Sequence, residues 1–499
     1  MACILIVADS SGSAKGGVPA FNQRFAVAAA RNHETYLLIP AQDNTQEPQA
    51  VAKDHPGVRV AVIPNPHTRK QMETGEELLP LLLNEFVVAT DPDMVGSVPT
   101  LCADAQGNIV SGYLPKGRSL AQGPQVVIGH SRFSGLAPGS IVKGPRTTYE
   151  EAHVEPHAWY PDAKYAHLVH MEVERLGLVK EEPAGKRWLK ILFETIALMD
   201  ADTVACVGGC SFEWVWGFRE AGRRSLPGRG IRARLHELVP GARLSPKPEP
   251  LPPSQTLRLL LVGRAGDKTK DAEGAVQMVR KMAPAQPLVP QMPYPARLTV
   301  LGMPVEAVDT WQVCVNVLTD LPENTPADNR MASIEPFGPP SRVVEEIDKA
   351  DMVLSCSFSE AFSLVCLEGL QRGKPVVTSY NNGFARFLLD ADRVPPGVGE
   401  PFVVRDQDVT GADRIALWAT RLRDAREDLA DLDAKVDTLR DILGRYTWEH
   451  CVDALVEAAE HADYDSKQIA DGKIMPVLEV ASTDVAPSEV DEWAAWWSL

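Results

Sequence analysis

Glu360 and Glu368 stand in a segment whose residue types and spacing could do chemistry. It reads Ser359-Glu360-Ala361-Phe362-Ser363-Leu364-Val365-Cys366-Leu367-Glu368-Gly369 and runs on through Gly373-Lys374-Pro375-Val376-Val377. The pattern predicts a strand at Met352–Cys356, a loop bearing Glu360, a helix over Leu364–Arg372 and a second strand at Pro375–Ser379. Glu368 then lies about one and a half turns into the helix, and the two carboxylates stand on the order of 10 Å apart. That span suits the two ends of a folded nucleotide sugar, with one acid accepting from sugar hydroxyls and the other from ribose hydroxyls. Between them, the helix start around Ser363–Val365 presents unpaired N–H groups to a diphosphate, so Phe362, Ser363 and Leu364 are expected beside it. Two solvated glutamates would give the same spacing by chance. The flanking strands, the loop and Gly373-Lys374-Pro375 favour a functional pair.

A departing nucleoside diphosphate carries two to three negative charges, and fixed cations can hold it. Candidates follow the apolar run Leu257–Val262, in Gly263-Arg264-Ala265-Gly266-Asp267-Lys268-Thr269-Lys270-Asp271. Arg264 and Lys270 are the expected pair, with Lys268 as a rival to Lys270; an ordinary charged loop is the plainer alternative. Near the N-terminus, Gly16-Gly17 follows the first apolar run, and glycine there lets backbone approach a ligand closely. A plain turn would also explain it, and the loop lacks the spaced glycines of a dinucleotide fingerprint. His130 and His170 end two further apolar runs, where strand ends line a ligand crevice; a satisfied structural histidine is the alternative for each. His153, His157 and His167 could suggest a metal cluster, but Pro156 breaks any shared helix face, and no metal site is expected.

The segment from Glu360 to Val377 resembles the glycogen-synthase-like, group 1 superfamily of retaining GT-B glycosyltransferases, whose signature is a Glu-x7-Glu pair followed by Gly-x-Pro and a strand. Gly263-Arg264 with Lys270 resembles its cationic loop, Gly16-Gly17 its N-terminal glycine loop, and Tyr446-Thr447-Trp448-Glu449-His450 the aromatic motif before its last helix. Leu168-Val169-His170-Met171 resembles a strand-end histidine that lies near the reacting sugar in related enzymes. Two departures stand out: Ser363 replaces the usual glycine, and the spacing to Lys270 is one residue longer than usual. The resemblance implies two Rossmann-like doubly wound domains facing across a cleft, with the C-terminal helix crossing back to the first. It also implies front-face transfer with retention, in which Arg264 and Lys270 hold the diphosphate, Glu360 orients the sugar and Glu368 holds the ribose. Catalytic roles would fall to Glu360, His170, Arg264 and Lys270. No cofactor or metal is implied beyond the nucleotide-diphosphate sugar co-substrate, with a UDP-sugar as first expectation. The acceptor, whether small molecule, glycan or protein, stays open. The alternatives are a non-catalytic nucleotide-sugar sensor or scaffold, and an epimerase or hydrolase using the same donor site.

The elements needed to position these residues are legible as short apolar runs at Cys3–Ala8, Tyr36–Ile39, Val58–Ile63, Val126–Ile128, His167–Val169 and Thr203–Val207. Helix-like stretches such as Pro19–Asn32 and Arg187–Met199 alternate with them, which predicts a doubly wound α/β domain. A proline-dense stretch at 240–256 reads as a linker, after which strands at Leu257–Val262 and Arg297–Leu301 and a helix at Ala272–Met282 begin a second such unit. The expected division is an acceptor domain over 1–240, a linker over 241–256 and a nucleotide-sugar domain over 257–445. A crossover helix over 446–462 and an acidic tail over 463–499, bearing Trp493, Trp496 and Trp497, complete it. Those tryptophans are expected to dock on the body or on a partner.

A net charge of −17 argues against a general nucleic-acid binder, since phosphate backbones demand a basic face. The local cluster Arg219, Arg223, Arg224, Arg229, Arg232 and Arg234 reads as a solvated helix-and-loop surface, with a basic binding patch as the alternative. No uncharged apolar stretch approaches the roughly 20 residues that span a bilayer. Cys3, Cys356 and Cys366 sit in apolar runs and no paired C-x-x-C appears, which fits a reducing, cytoplasmic setting. Homo-oligomerisation stays open.

Overall fold

The computed structural model describes residues 1–8, 17–40, 53, 55, 57–63, 99–103, 109–113, 123–130, 136–143, 160, 162–225, 231–249, 254–283 and 295–462. Two sheets dominate. The first is built from β1 (Cys3–Val7), β2 (Glu34–Pro40), β3 (Val58–Ile63), β4 (Pro99–Ala103), β5 (Ile109–Tyr113), β6 (Val126–His130), β7 (Lys164–Val169), β8 (Thr203–Val207) and β9 (Arg234–Leu238). Their spatial order is β5-β4-β3-β2-β1-β6-β7-β8-β9. The second contains β10 (Leu257–Val262), β11 (Ala296–Met303), β12 (Ala332–Pro336), β13 (Met352–Ser355), β14 (Val376–Ser379) and β15 (Val403–Val404), in the order β12-β11-β10-β13-β14-β15.

The apolar runs explain the pairing. β1 (CILIV) and β6 (VVIGH) are buried along their whole length, as strands covered on both faces must be, and β1 pairs in parallel with both β2 and β6. In the second sheet β10 pairs in parallel with β11 on one side and β13 on the other. Each sheet is therefore doubly wound, and the strand order reverses between β1 and β6 in one and between β10 and β13 in the other. Ligands of open α/β sheets bind beyond the carboxyl ends of the strands at such a reversal. The loops after β10 and β13 carry Arg264, Lys270 and Glu360, and the loop after β1 leads to Gly17. Topology brings the candidate residues to these ends.

The alternation of runs missed several elements. β4 and β5 form an antiparallel hairpin on the edge of the first sheet, and β9, β12 and β15 were not expected as strands. The helix Gly209–Ser225 opens on a glycine and is crowded with aromatics, which hides its period. The start of the 240–256 stretch is packed rather than free. Val239 and Ala242 are buried, and Gly241 lies so close that a Cβ there would stand 2.2 Å from the backbone nitrogen of Trp448. The proline-rich 284–294 and the tail 463–499 lie outside the described residues.

The final helix (Trp448–Glu460) crosses back onto the first sheet. Thr203 donates to the Ala458 carbonyl at 3.1 Å, His33 meets Asp453 at 3.1 Å, and the Trp448 ring packs edge-on to Phe21 at 5.2 Å. Among the described residues, no helix is long and apolar enough to cross a membrane.

Candidate functional site

The loop after β10 is shaped by glycine and aspartate. Gly263 has φ +151°, a conformation L side chains avoid, and the Lys270 side chain lies across it: a Cβ there would stand 3.1 Å from Lys270 Cε. Asp267 accepts from the Thr269 amide at 3.0 Å and starts the short turn Lys268–Lys270. Burial pushes the Asp267 carboxyl up, but hydrogen bonds from Thr269 and Lys180 outweigh it and hold the group below the usual range. Asp271 then takes a left-handed φ of 51° and caps the helix Ala272–Met282 by accepting from the Gly274 amide at 3.2 Å.

This loop delivers Lys270 to the end of β13. Its Nζ lies 2.7 Å from Glu360 Oε1, while Oε2 accepts from Ser357 at 2.9 Å and Ser355 at 3.3 Å. Glu360 is tied through its backbone as well: its N–H donates to the Asn381 carbonyl at 3.2 Å, and its carbonyl accepts from Gly383 at 3.0 Å. Asn382 completes the frame, donating to Ser355 Oγ at 3.1 Å and accepting from the amides of Ser363 (3.1 Å) and Phe384 (2.9 Å). Lys268 faces elsewhere, donating to Glu181 at 2.5 Å. Of the two rival lysines, Lys270 is the one brought to Glu360.

Glu368 sits in the second turn of the helix Leu364–Gln371 and pairs with Arg24, on the helix Gly17–Asn32 that follows β1. Ser363 is the N-cap of the glutamate-bearing helix, accepting from the Cys366 amide at 3.5 Å. A hydroxyl where a glycine was the usual residue thus has a structural task. Free amides were expected at Ser363, Leu364 and Val365. Ser363 offers none, because its N–H goes to Asn382, whereas the Leu364 and Val365 amides have no partner among the described residues. The Phe362 side chain is buried, edge-on to Phe384 at 5.1 Å, so its contribution beside a ligand is confined to backbone. Arg264 is 56% exposed, with Asp267 3.7 Å away. Gly17 opens its helix with nothing within 4 Å of a would-be Cβ, and Gly16 lies outside the described residues.

Behind these groups lies a buried hub that the sequence reading missed. Arg414 pairs with Asp271, donates to Asp406 Oδ2 at 3.0 Å and to the Cys356 carbonyl at 2.6 Å, and stacks over Phe358 at 4.3 Å. Asp406 also accepts from Trp418 Nε1 at 2.8 Å and Ser379 Oγ at 2.7 Å. One guanidinium therefore clamps the loop after β10 to the end of β13. Its partners are more than a hundred residues apart in part (Asp271 to Arg414), which no local motif reveals.

On the first sheet, His130 Nδ1 and His170 Nε2 lie 3.1 Å apart, stacked, with Phe21 edge-on to His170 at 4.8 Å. Burial holds His170 down to about 3 and His130 well below the usual range, so both rings are neutral and one donates to the other. His167 meets Glu194 at 2.9 Å and Tyr165 at 3.1 Å; His153 and His157 lie outside the described residues. Among the described residues, no cluster of His, Cys, Asp and Glu could hold a metal ion. Glu172, two residues beyond His170, is pushed up to about 7 by burial, and Arg175 lies 3.9 Å from it. Gly208, at the end of β8, touches the other half directly: with φ +78°, a Cβ there would lie 2.3 Å from the Ala361 carbonyl. Ion pairs Arg386–Glu213 (2.9 Å), Arg393–Glu237 (2.6 Å) and Lys180–Asp267 (3.0 Å) join the two sheets' bodies around this contact.

A family model described as "Family 4 Glycosyltransferase in conflict systems" matches residues 5–95 and 103–455. No curated protein matches the sequence. Among solved structures, the chain is similar to sucrose-phosphate synthase from Thermosynechococcus elongatus, with TM-score 0.57 and 15% identity over 94% of this chain and 100% of that one. It is also similar to HepE of Anabaena in complex with UDP-glucose, with TM-score 0.56 and 12% identity over 92% and 100%. A third likeness is to WaaG, a glycosyltransferase involved in lipopolysaccharide biosynthesis, with TM-score 0.52 and 13% identity over 91% and 99%. At such identities the likeness shows the two-domain GT-B fold.

Proposed function

We propose a function from one premise: the chain belongs to the GT4-conflict family, the family 4 glycosyltransferases in conflict systems, and so to the group 1, GT-B glycosyltransferases. The proposed reaction moves a sugar from a nucleotide-diphosphate sugar to an acceptor hydroxyl with retention. The bond from the anomeric carbon to the phosphate oxygen breaks, and the acceptor oxygen bonds the same face. The acceptor proton passes to the leaving phosphate, and a nucleoside diphosphate departs.

Lys270 and Arg264 would hold the diphosphate with the Leu364 and Val365 amides, Glu360 would orient the sugar, and Glu368 would take the ribose. The body around the second sheet would then be the donor half, and the first, carrying the neutral His170, the acceptor half. Two fixed cations and helix amides supply the charge stabilisation that a metal would otherwise give, so a metal-independent reaction is part of the proposal. The observation that carries it is the Lys270–Glu360 pair, set beyond the adjacent strands β10 and β13 where the strand order reverses. HepE, of the same fold, was solved with UDP-glucose, which supports a UDP-sugar as the first donor to try.

A thermal-shift panel of UDP, GDP, ADP and dTDP sugars identifies the donor, because a ligand that binds the native state raises Tm with occupancy. Product analysis follows, comparing wild type with Glu360→Ala. Transfer with retained configuration, lost in the variant, supports the proposal. Binding without turnover would mean a sensor, and free sugar or epimer without acceptor would mean a hydrolase or epimerase.

A further inference from the structure

The Arg24–Glu368 pair joins the proposed donor half to the other half through a group that the proposed reaction uses. Arg24 stands on the helix Gly17–Asn32, two turns in, and Glu368 on the helix Leu364–Gln371. Among the described residues, the ion pairs Arg386–Glu213, Arg393–Glu237, Lys180–Asp267 and Lys268–Glu181 also join the halves, and they engage no group assigned to the ligand. In the Arg24 pair, one guanidinium nitrogen, Nη2, meets one carboxylate oxygen, Oε1. Glu368 Oε2 has no partner among the described residues, and neither do Nε and Nη1 of Arg24. Both side chains are partly open, at 36% and 21% exposure. A glutamate on a helix surface samples several rotamers, and pinning one oxygen fixes the direction of the other. An ionised carboxylate accepts only, so the free oxygen is matched to a hydroxyl donor.

We propose that Arg24 is a positioning residue for the ribose of the nucleotide: from the opposite half, it sets the Glu368 rotamer in which Oε2 accepts from a ribose hydroxyl. Ribose recognition then depends on the two halves being together, which links nucleotide selection to closure. The inference rests on the reading that Glu368 takes the ribose.

Calorimetry separates the two. The probes are UDP, GDP or ADP, whichever the donor panel selects, and its 2′,3′-dideoxy counterpart, with wild type, Arg24→Ala, Arg24→Lys and Glu368→Ala. Wild type is expected to prefer the ribonucleotide by about tenfold, as a hydrogen bond to a charged group gives. Glu368→Ala should lose that preference. Arg24→Ala should lose most of it while binding the dideoxy compound as wild type does, with Tm unchanged, and Arg24→Lys should recover part. If Glu368→Ala keeps the preference, the ribose reading itself fails. If Glu368→Ala loses it while Arg24→Ala keeps it, the ribose reading stands and the role of Arg24 is overturned. Tighter ribonucleotide binding by Arg24→Ala would also overturn it, by making Arg24 a competitor for the carboxylate.

Discussion

Lys270 and Glu360, 90 residues apart in sequence, meet at 2.7 Å beyond the ends of two neighbouring strands. The contact joins a cation suited to a diphosphate with an acid suited to sugar hydroxyls, and both oxygens of the acid are already held, one by the lysine and one by Ser357. Such a group needs no reorganisation when the donor arrives, which is where electrostatic catalysis gains most.

Glu360→Gln therefore keeps the shape and removes the charge. Initial rates of transfer are expected to fall about 100-fold, the scale of losing one preorganised electrostatic contact. Ser357→Ala, which leaves Oε2 only the longer contact from Ser355 and keeps the charge, is expected to cost less than Glu360→Gln. Equal losses would mean that orientation alone matters.

Arg414 supports the site from behind, at 3% exposure and with two carboxylates beside it. Arg414→Met leaves the buried Asp406 and the half-buried Asp271 without their cation, which should cost about 3 kcal/mol of stability by urea unfolding. Transfer activity should fall as well, because the Asp271 cap and the Cys356 carbonyl lose their common clamp.

How much of this was readable beforehand depends on sequence distance. The acids Glu360 and Glu368, the Gly263-Arg264 loop and the short apolar strands are contiguous signals, and they place the second sheet and its loops well. Arg414 with Asp271 and Arg24 with Glu368 are not contiguous; each joins elements that only the folded chain brings together. The β4–β5 hairpin was hidden because its strands, PTLCA and IVSGY, are short and carry Pro, Gly and Ser. Ser363 looked like a departure from glycine and proved to be a helix cap, a role legible from a serine just before the helix.

Gly208→Ala tests contact between the halves. A Cβ there would stand 2.3 Å from the Ala361 carbonyl at φ +78°. The substitution should reduce transfer strongly and widen the solution scattering profile, with the strands of each sheet intact by circular dichroism. Unchanged scattering together with unchanged rates would contradict the contact.

Glu172 and His236 predict opposite pH effects. Glu172 is raised from 4.5 to about 7 by burial, so the native state binds the extra proton, and its stabilising contribution is full below pH 4.5 and lost as pH rises through 7. Glu172→Gln should accordingly raise Tm relative to wild type at pH 8 and not at pH 4.5. His236 is lowered from 6.5 to about 4, chiefly by burial, so the unfolded state binds the proton first. Its contribution is present above pH 6.5 and lost as pH falls toward 4. His236→Gln should flatten the acid side of the Tm profile.

Calorimetric Kd values for the nucleoside diphosphate of the selected donor test the central assignment most directly, using wild type, Lys270→Ala, Arg264→Ala and Lys268→Ala. Loss of a cation that holds phosphate should weaken binding about tenfold or more for Lys270→Ala and Arg264→Ala, while Lys268→Ala, whose lysine faces Glu181, stays near wild type. Wild-type affinity in both Lys270→Ala and Arg264→Ala would contradict the account.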